Sequence, residues 1–213
     1  MNPNLADLRK SYEKGELNIV DSDPMVLFAT WFKIAETSKE IEEPNAMTLS
    51  TQSKNGFPRS RVVLLKGFSE DGFVFFTNYE SEKGKSISNN PKVGISFFWP
   101  SLERQIIING VAKKISDNES DAYFKSRPRG SQLGALVSPQ SKVIPDRKFL
   151  ENRLFELKKK FHNKSIPRPN NWGGFLIKPI SIEFWQGRPN RLHDRISFQL
   201  INKNKWKVER LAP

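Results

Sequence analysis

Val93-Gly94-Ile95-Ser96-Phe97-Phe98-Trp99 sets Val93, Ile95, Phe97 and Trp99 at every second position. A period of two places these side chains on one side of an extended chain, so the stretch reads as a half-buried β-strand. Residues 46–52, 60–66, 72–77 and 104–115 repeat the signal and are separated by Asn55-Gly56, Asp71-Gly72 and Pro100, all of them turn formers. Within them Val62 to Leu65, Phe73 to Phe76 and Ile106 to Ile108 are apolar at consecutive positions. In an antiparallel system that implies cover on both faces, a barrel interior on one side and another layer on the other. The expected class is mainly β with flanking helices, a closed or split barrel with a subunit partner.

Helical signals surround this β-rich centre. Asp23-Pro24 supplies a capping residue and a first-turn proline ahead of Leu27, Trp31, Ile34 and Ala35, which share one helical face. Asp146 caps a helix that turns Phe149, Leu150, Leu154, Leu157 and Phe161 inward and ends in Lys158-Lys159-Lys160 before Ile166-Pro167-Arg168-Pro169. Residues 5–14 read as a short amphipathic helix stopped by Gly15, the whole of 1–20 forming an N-terminal arm. Ser81-Glu82-Lys83-Gly84-Lys85-Ser86 starts a helix directly after a strand, and free N–H groups beside Lys83 would suit a phosphate as well as they suit an ordinary cap. Tyr123-Phe124-Lys125-Ser126-Arg127-Pro128-Arg129-Gly130-Ser131 is a stronger anion candidate. A proline at the first helical position leaves nearby N–H groups unpaired, with Arg127, Ser131 and Tyr123 as further donors.

Length and composition bound the function. The 213 residues suit one domain spanning 1–213, without repeat or linker. No apolar run is long enough to span a bilayer, and Met1-Asn2-Pro3-Asn4 lacks the basic-then-apolar start of a signal peptide, so a cytoplasmic protein without a membrane partner is expected. With no cysteine, and with His162 and His193 far apart, disulfides, thiolate chemistry and a metal site are not expected. The net charge of +12 calls for an anionic partner, and its scatter over strand ends and loops suits pockets better than a nucleic-acid groove.

The densest polar stretch is Trp185-Gln186-Gly187-Arg188-Pro189-Asn190-Arg191-Leu192-His193-Asp194-Arg195. Gly187 and Pro189 mark a hairpin turn between strands at 174–185 and 192–201. If the chain is extended from Arg191 onward, Arg191, His193 and Arg195 form one cationic face, with Leu192 and Asp194 opposite. Asp194 is also placed to pair with a neighbouring arginine. On the preceding strand Ile180, Ile182 and Phe184 face one way and Ser181, Glu183 and Trp185 the other, leaving Trp185 exposed for a partner surface or a flat ligand.

Taken in order, Arg61-Val62-Val63-Leu64-Leu65-Lys66, Ser126-Arg127-Pro128, Trp185-Gln186-Gly187, Arg191-Leu192-His193-Asp194-Arg195 and Glu209-Arg210-Leu211-Ala212-Pro213 closely resemble the pyridoxine (pyridoxamine) 5′-phosphate oxidase family over nearly the whole chain. The resemblance implies a homodimeric, antiparallel FMN-binding split β-barrel with flavin sites at the subunit boundary. Its members oxidise pyridoxine or pyridoxamine 5′-phosphate to pyridoxal 5′-phosphate, with dioxygen as acceptor and hydrogen peroxide as by-product. By the same resemblance Arg61, Val62, Val63, Leu64, Leu65, Lys66, Phe76, Thr77, Lys83, Gln105, Gln140, Ser141, Trp185 and Arg195 are flavin contacts. Lys66, Tyr123, Arg127 and Ser131 clamp the substrate phosphate, Arg191, Leu192 and His193 lie at the substrate ring with Arg191 and His193 as the reactive pair, and Arg9, Lys10, Ser11 and Tyr12 close over it.

One departure stands out. Relatives commonly carry a basic residue where this chain has Glu82, and a carboxylate there repels a flavin phosphate unless it turns away. Arg61 and Lys66 raise a second question, since strict alternation points them to opposite faces unless a bulge intervenes. Two other readings fit the composition: a split-barrel flavoprotein with another substrate, which would be yellow but inert to pyridoxine phosphate, and a basic barrel binding single-stranded nucleic acid, which would be colourless and salt-sensitive.

Overall fold

A computed structural model describes residues 11–17, 22–202 and 205–213. Five helices and nine strands are found among the described residues: α1 (Pro24–Thr37), β1 (Ala46–Gln52), β2 (Pro58–Leu64), β3 (Gly67–Ser69), β4 (Gly72–Asn78), α2 (Glu82–Asn89), β5 (Lys92–Trp99), β6 (Arg104–Lys114), α3 (Asp117–Ser126), α4 (Arg129–Val137), α5 (Arg147–Lys160), β7 (Trp172–Gln186), β8 (Asp194–Asn202) and β9 (Lys205–Leu211). The strands hydrogen-bond in the order β2-β1-β5-β6-β7-β4-β3, and β8 joins β7 to β9. The chain is mainly β with flanking helices, as expected, and folds into two compact units.

One unit takes in the described parts of Met1–Leu49, Gly94–Gly110 and Pro179–Pro213. Asp23 caps α1 by accepting from the Met25 amide at 2.8 Å, with Pro24 in the first turn. The buried stripe of α1 is Met25, Phe28, Trp31 and Ala35. This is rotated from the expected one: Ile34 is 40% exposed and Leu27 only half buried. The aromatics decide the rotation, because Phe28 meets Phe97 edge-to-face at 5.4 Å and Trp31 meets Phe184 at 5.2 Å. Ile95, Ile106, Ile108, Ile182, Ile196 and Phe198 complete this core, each such side chain contributing roughly 1.5–3 kcal/mol on burial.

The other unit comprises Ser50–Val93 and Val111–Lys178. Here β4 pairs antiparallel with the first half of β7, from Phe73 opposite Ile177 to Asn78 opposite Trp172. Phe73, Phe75, Phe175 and Ile177 are buried, and Phe124, Leu133, Ile166 and Trp172 form a second cluster onto which Leu154, Leu157 and Phe161 of α5 pack. Phe149 and Leu150, expected inward with them, are half exposed at the start of α5.

The structure departs from the sequence pattern in four further places. Residues 11–14 are not helical: the Glu13 and Lys14 amides donate to the Glu103 carboxylate instead of to a helical turn. The inward face of β7 changes parity at Pro179, from Phe175 and Ile177 to Ile182 and Phe184, as the pairing partner changes from β4 to β8, and Ile180 is left 46% exposed. Cover on both faces is not supplied by the described residues, since Val62 is 67% and Ile107 37% exposed. Pro128 is the cap of α4 and not its first residue; its carbonyl accepts from the Ser131 amide at 2.8 Å.

Candidate active site

In the second unit the end of β2, the adjoining loop, β4, α2 and α3 surround a cavity of about 460 Å³, within the usual range for a small-molecule site. Its walls are Arg61, Val62, Val63, Leu64, Lys66, Phe76, Thr77, Lys83, Tyr123, Arg127, Gln140 and Trp172. Among the described residues, four cations and no carboxylate line it. Leu65 points away into the core at 4% exposure. Both Arg61 and Lys66 reach the cavity because β2 stops at Leu64, so alternation no longer governs Lys66, whose amide donates to the Val74 carbonyl.

Arg61, Lys83 and Arg127 are held at an electrostatic cost that an anion would relieve. Lys83, buried at the start of α2 behind its Ser81 cap, has its pKa lowered first by burial and then by Arg61. Its ammonium donates to Thr77 Oγ1 at 3.4 Å, and the Thr77 hydroxyl donates to Gln140 Oε1 at 3.5 Å. Arg61 donates to Thr51 Oγ1 at 2.7 Å and is likewise depressed, chiefly by burial. Arg127 caps the C-terminus of α3, and burial lowers its pKa too. Its Nη1 is buried without a hydrogen-bond partner among the described residues, a cost that an incoming acceptor would cancel. Glu82 does turn away, onto the Arg59 guanidinium.

Trp172 was not foreseen. Its ring stacks on Phe76 at 5.5 Å, with Tyr123 parallel to both and 3.8 Å from Phe76, while the Arg127 guanidinium lies 4.6 Å above Trp172. The sequence signal was Gly173-Gly174, where a side chain would run into the Tyr79 hydroxyl at 2.2 Å and Ile115 at 2.4 Å. Those glycines let α3 approach, and Arg168 ties it down through Asp117, Asp121 and the Trp172 carbonyl. A larger cavity of about 650 Å³ in the same unit includes Glu80 and Glu156 beside Lys142 and Arg153; with its charges balanced it makes no comparable demand for an anion.

The first unit holds a second cluster. Trp185 is half buried and not exposed: Tyr12 meets it edge-on at 5.5 Å, and the His193 ring lies 4.8 Å from Trp185 and 5.7 Å from Tyr12. His193 Nδ1 accepts from the Arg188 amide at 3.1 Å, which puts its ring proton on Nε2. The single cationic face expected for Arg191, His193 and Arg195 does not form, because β8 starts only at Asp194. Arg191 sits in a short 3-10 turn with Asn190, both at positive φ (63° and 57°), and is exposed, as is Leu192 at 70%. Arg195, on β8, donates through Nε to Glu183 Oε1 at 2.8 Å, and this bond raises its pKa. Asp194 pairs with Arg210.

Of the remaining residues carried over from the resemblance, Gln105 is half buried at the start of β6, Ser131 is exposed in the first turn of α4, and Ser141 is exposed in its loop at φ 70°. None of them lines the acid-free cavity. Ser11 is exposed; Arg9 and Lys10 lie outside the described residues. No described helix is long and apolar enough to cross a membrane.

Comparison with known proteins bears on what this geometry serves. Residues 34–160 match the sequence model of pyridoxamine 5′-phosphate oxidase, and residues 172–213 match that of the pyridoxine 5′-phosphate oxidase C-terminal dimerisation region. The chain belongs to the pyridoxamine 5′-phosphate oxidase family. Within that family it is 57% identical to the pyridoxine/pyridoxamine 5′-phosphate oxidase of Christiangramia forsetii, with 100% of both chains covered. It is also 57% identical to that of Flavobacterium johnsoniae, with 98% of each covered. Among solved structures, PhzG from Burkholderia lata in complex with tetrahydrophenazine-1-carboxylic acid matches with TM-score 0.88 and 26% identity over 95% of this chain and 100% of that one. A pyridoxamine 5′-phosphate oxidase-related, FMN-binding protein from Nostoc punctiforme matches in fold with TM-score 0.72, at 18% identity over 92% and 100%. The strand pattern left a closed or a split barrel open, and the split barrel that the resemblance implies is the family's own.

Proposed function

We propose that this chain is a homodimeric, FMN-dependent oxidase that converts pyridoxine or pyridoxamine 5′-phosphate to pyridoxal 5′-phosphate, using dioxygen and releasing hydrogen peroxide. The observation that carries the reading is the acid-free cavity with Arg61, Lys66, Lys83 and Arg127 on its walls, in a chain 57% identical to oxidases of that name over their full length. Phosphate is the chemistry such a lining recognises, and guanidinium groups bind it through paired hydrogen bonds.

FMN, when bound, accepts two electrons as hydride from the substrate and passes them to dioxygen. The residues present fit such a group: Arg61 and Lys83 would hold its phosphate, where their mutual repulsion and burial are offset by the bound dianion. Val62, Val63, Leu64, Phe76, Thr77, Gln105, Gln140, Ser141, Trp185 and Arg195 are proposed as its further contacts, with Leu65 able to contribute only through its backbone because its side chain is turned into the core. Arg127, with its unsatisfied Nη1, would take the substrate phosphate together with Lys66, Tyr123 and Ser131. His193 and Arg191 would orient the substrate ring, His193 offering a donor at Nε2, and Tyr12 with Ser11, Arg9 and Lys10 would exclude water above it. In this proposal residues 1–213 work as one functional domain, with 1–20 as the arm.

The test is peroxide release and aldehyde formation by the purified yellow protein with each phosphorylated vitamer. Product from both, with little from unphosphorylated pyridoxine, is expected. A second reading comes from PhzG, whose solved complex holds a tricyclic carboxylate. Oxidation of such a carboxylate in preference to either phosphorylated vitamer would favour it.

A further inference from the structure

Glu103 carries a carboxyl side chain, is 2% exposed, and follows a 3-10 turn at φ 56° and ψ 39°. That left-handed conformation is costly for any side chain and is the usual place for glycine. The side chain that bears the cost reaches across to the N-terminal segment. Its Oε2 accepts from the Glu13 and Lys14 amides, each at 2.9 Å, the residues immediately following Tyr12. The Glu103 carbonyl meanwhile accepts from the Gly187 amide at 2.7 Å. One residue thus ties the segment behind Tyr12 to the loop behind Trp185.

The surroundings are built to the same end. Arg104 Nε donates to Gln186 Oε1 at 2.8 Å, which fixes the orientation of that amide so that its Nε2 faces the Lys14, Leu102 and Glu103 carbonyls, each at 3.2 Å. At Gly187 a side chain would stand 2.8 Å from Tyr12 Cγ and 3.0 Å from Glu103 Cβ, so only glycine lets the Tyr12 ring settle there. Tyr12 then meets both Trp185 and His193.

We infer that Glu103 is a positioning residue: it seats Tyr12 against Trp185 and His193 by anchoring the two amides that follow Tyr12. Its effect on catalysis rests on the proposed role of that cluster at the substrate; the anchoring itself does not.

Glu103→Gly separates anchor from turn, since it removes the carboxylate while relieving the backbone. In the FMN-loaded protein without substrate, trypsin should cut after Lys14 about tenfold faster in Glu103→Gly than in the parent, the scale of a lost charged hydrogen bond. Flavin content should not change. With pyridoxine 5′-phosphate, KM should rise about tenfold while kcat stays within about twofold. In a Tyr12→Ala background Glu103→Gly should add nothing to KM. Gly187→Ala, which displaces Tyr12 with the carboxylate intact, should reproduce the KM effect, and it serves if Glu103→Gly fails to fold. Cleavage at the parent rate, or a KM effect that persists in Tyr12→Ala, overturns the inference. If neither phosphorylated vitamer is oxidised by the parent yet Lys14 cleavage responds as stated, the proposed function falls and the anchoring stands.

Discussion

Glu82 and Arg59 form an ion pair at the mouth of α2, turning the carboxylate beside Lys83 away from the cationic cavity. Both partners are substantially exposed, so the pair contributes only ~0–1 kcal/mol to stability. Its consequence is local. Arg59→Ala should leave the melting temperature nearly unchanged and weaken FMN binding about threefold to tenfold, as Glu82 is released toward Arg61 and Lys83. Adding Glu82→Gln should restore affinity. Flavin fluorescence titration checks both; unchanged affinity in Arg59→Ala would mean that Glu82 never competes for the phosphate-binding cations.

Arg127 and Trp172 should act as one unit. Arg127→Ala should cost about 2–3 kcal/mol of productive substrate binding, the scale of a charged hydrogen bond. Trp172→Leu removes the flat surface beneath the guanidinium and the stack with Phe76, and should cost ~0.5–2 kcal/mol in kcat/KM. The double variant should fall well short of the sum. Full additivity in steady-state kinetics would show that Trp172 does not hold Arg127 in place.

Arg195 and Arg191 are expected to separate. Arg195→Leu strips Glu183 of its ion-pair partner on the adjoining strand and should lower stability by ~1–3 kcal/mol along with losing flavin on dialysis. Arg191, exposed in its turn, should be replaceable by leucine without loss of flavin or stability, while substrate-driven flavin reduction slows. Flavin content and denaturation midpoints, measured side by side, decide. Arg191→Leu shedding flavin while Arg195→Leu keeps it would reverse the assignment.

Lys83 links flavin affinity to pH. Burial, and then Arg61, depress its pKa in the free protein; a bound phosphate dianion raises it again. A group whose pKa is higher in the bound state favours binding fully below the free-state pKa, and that contribution is lost as pH rises through the bound-state value. FMN affinity should therefore fall as pH rises, the fall starting below the ordinary lysine range. Titrations across that range should show the fall in the parent and not in Lys83→Met. A Lys83→Met curve that falls like the parent's would assign the linkage elsewhere.

The fold was legible where one physical signal acted alone. Alternation from Val93 to Trp99 and the Asn55-Gly56 and Asp71-Gly72 turns located the strands, and Asp23-Pro24 and Asp146 located helix starts. The reading failed where tertiary contacts overrode local pattern. Alternation from Arg191 onward would give one cationic face, yet the Pro189 turn continues through Arg191 at positive φ. Residues 11–14 carry a helical pattern, yet Glu103, distant in sequence, takes their amides. For the site, residue chemistry singled out Lys83 and Arg127, the family resemblance added Arg61 and Lys66, and the structure gathers all four in one cavity. Trp172 stayed hidden because its role depends on the closeness that Gly173 and Gly174 permit, which no spacing rule expresses.

The most direct test of the account is anaerobic mixing of the purified protein with pyridoxine 5′-phosphate, and separately with pyridoxine, while flavin absorbance is followed. The account predicts a yellow protein whose absorbance bleaches with the phosphorylated vitamer at least about a hundredfold faster than with pyridoxine, since Arg127 and its neighbours hold only the former. A colourless protein, or bleaching at the same rate with both compounds, would contradict it.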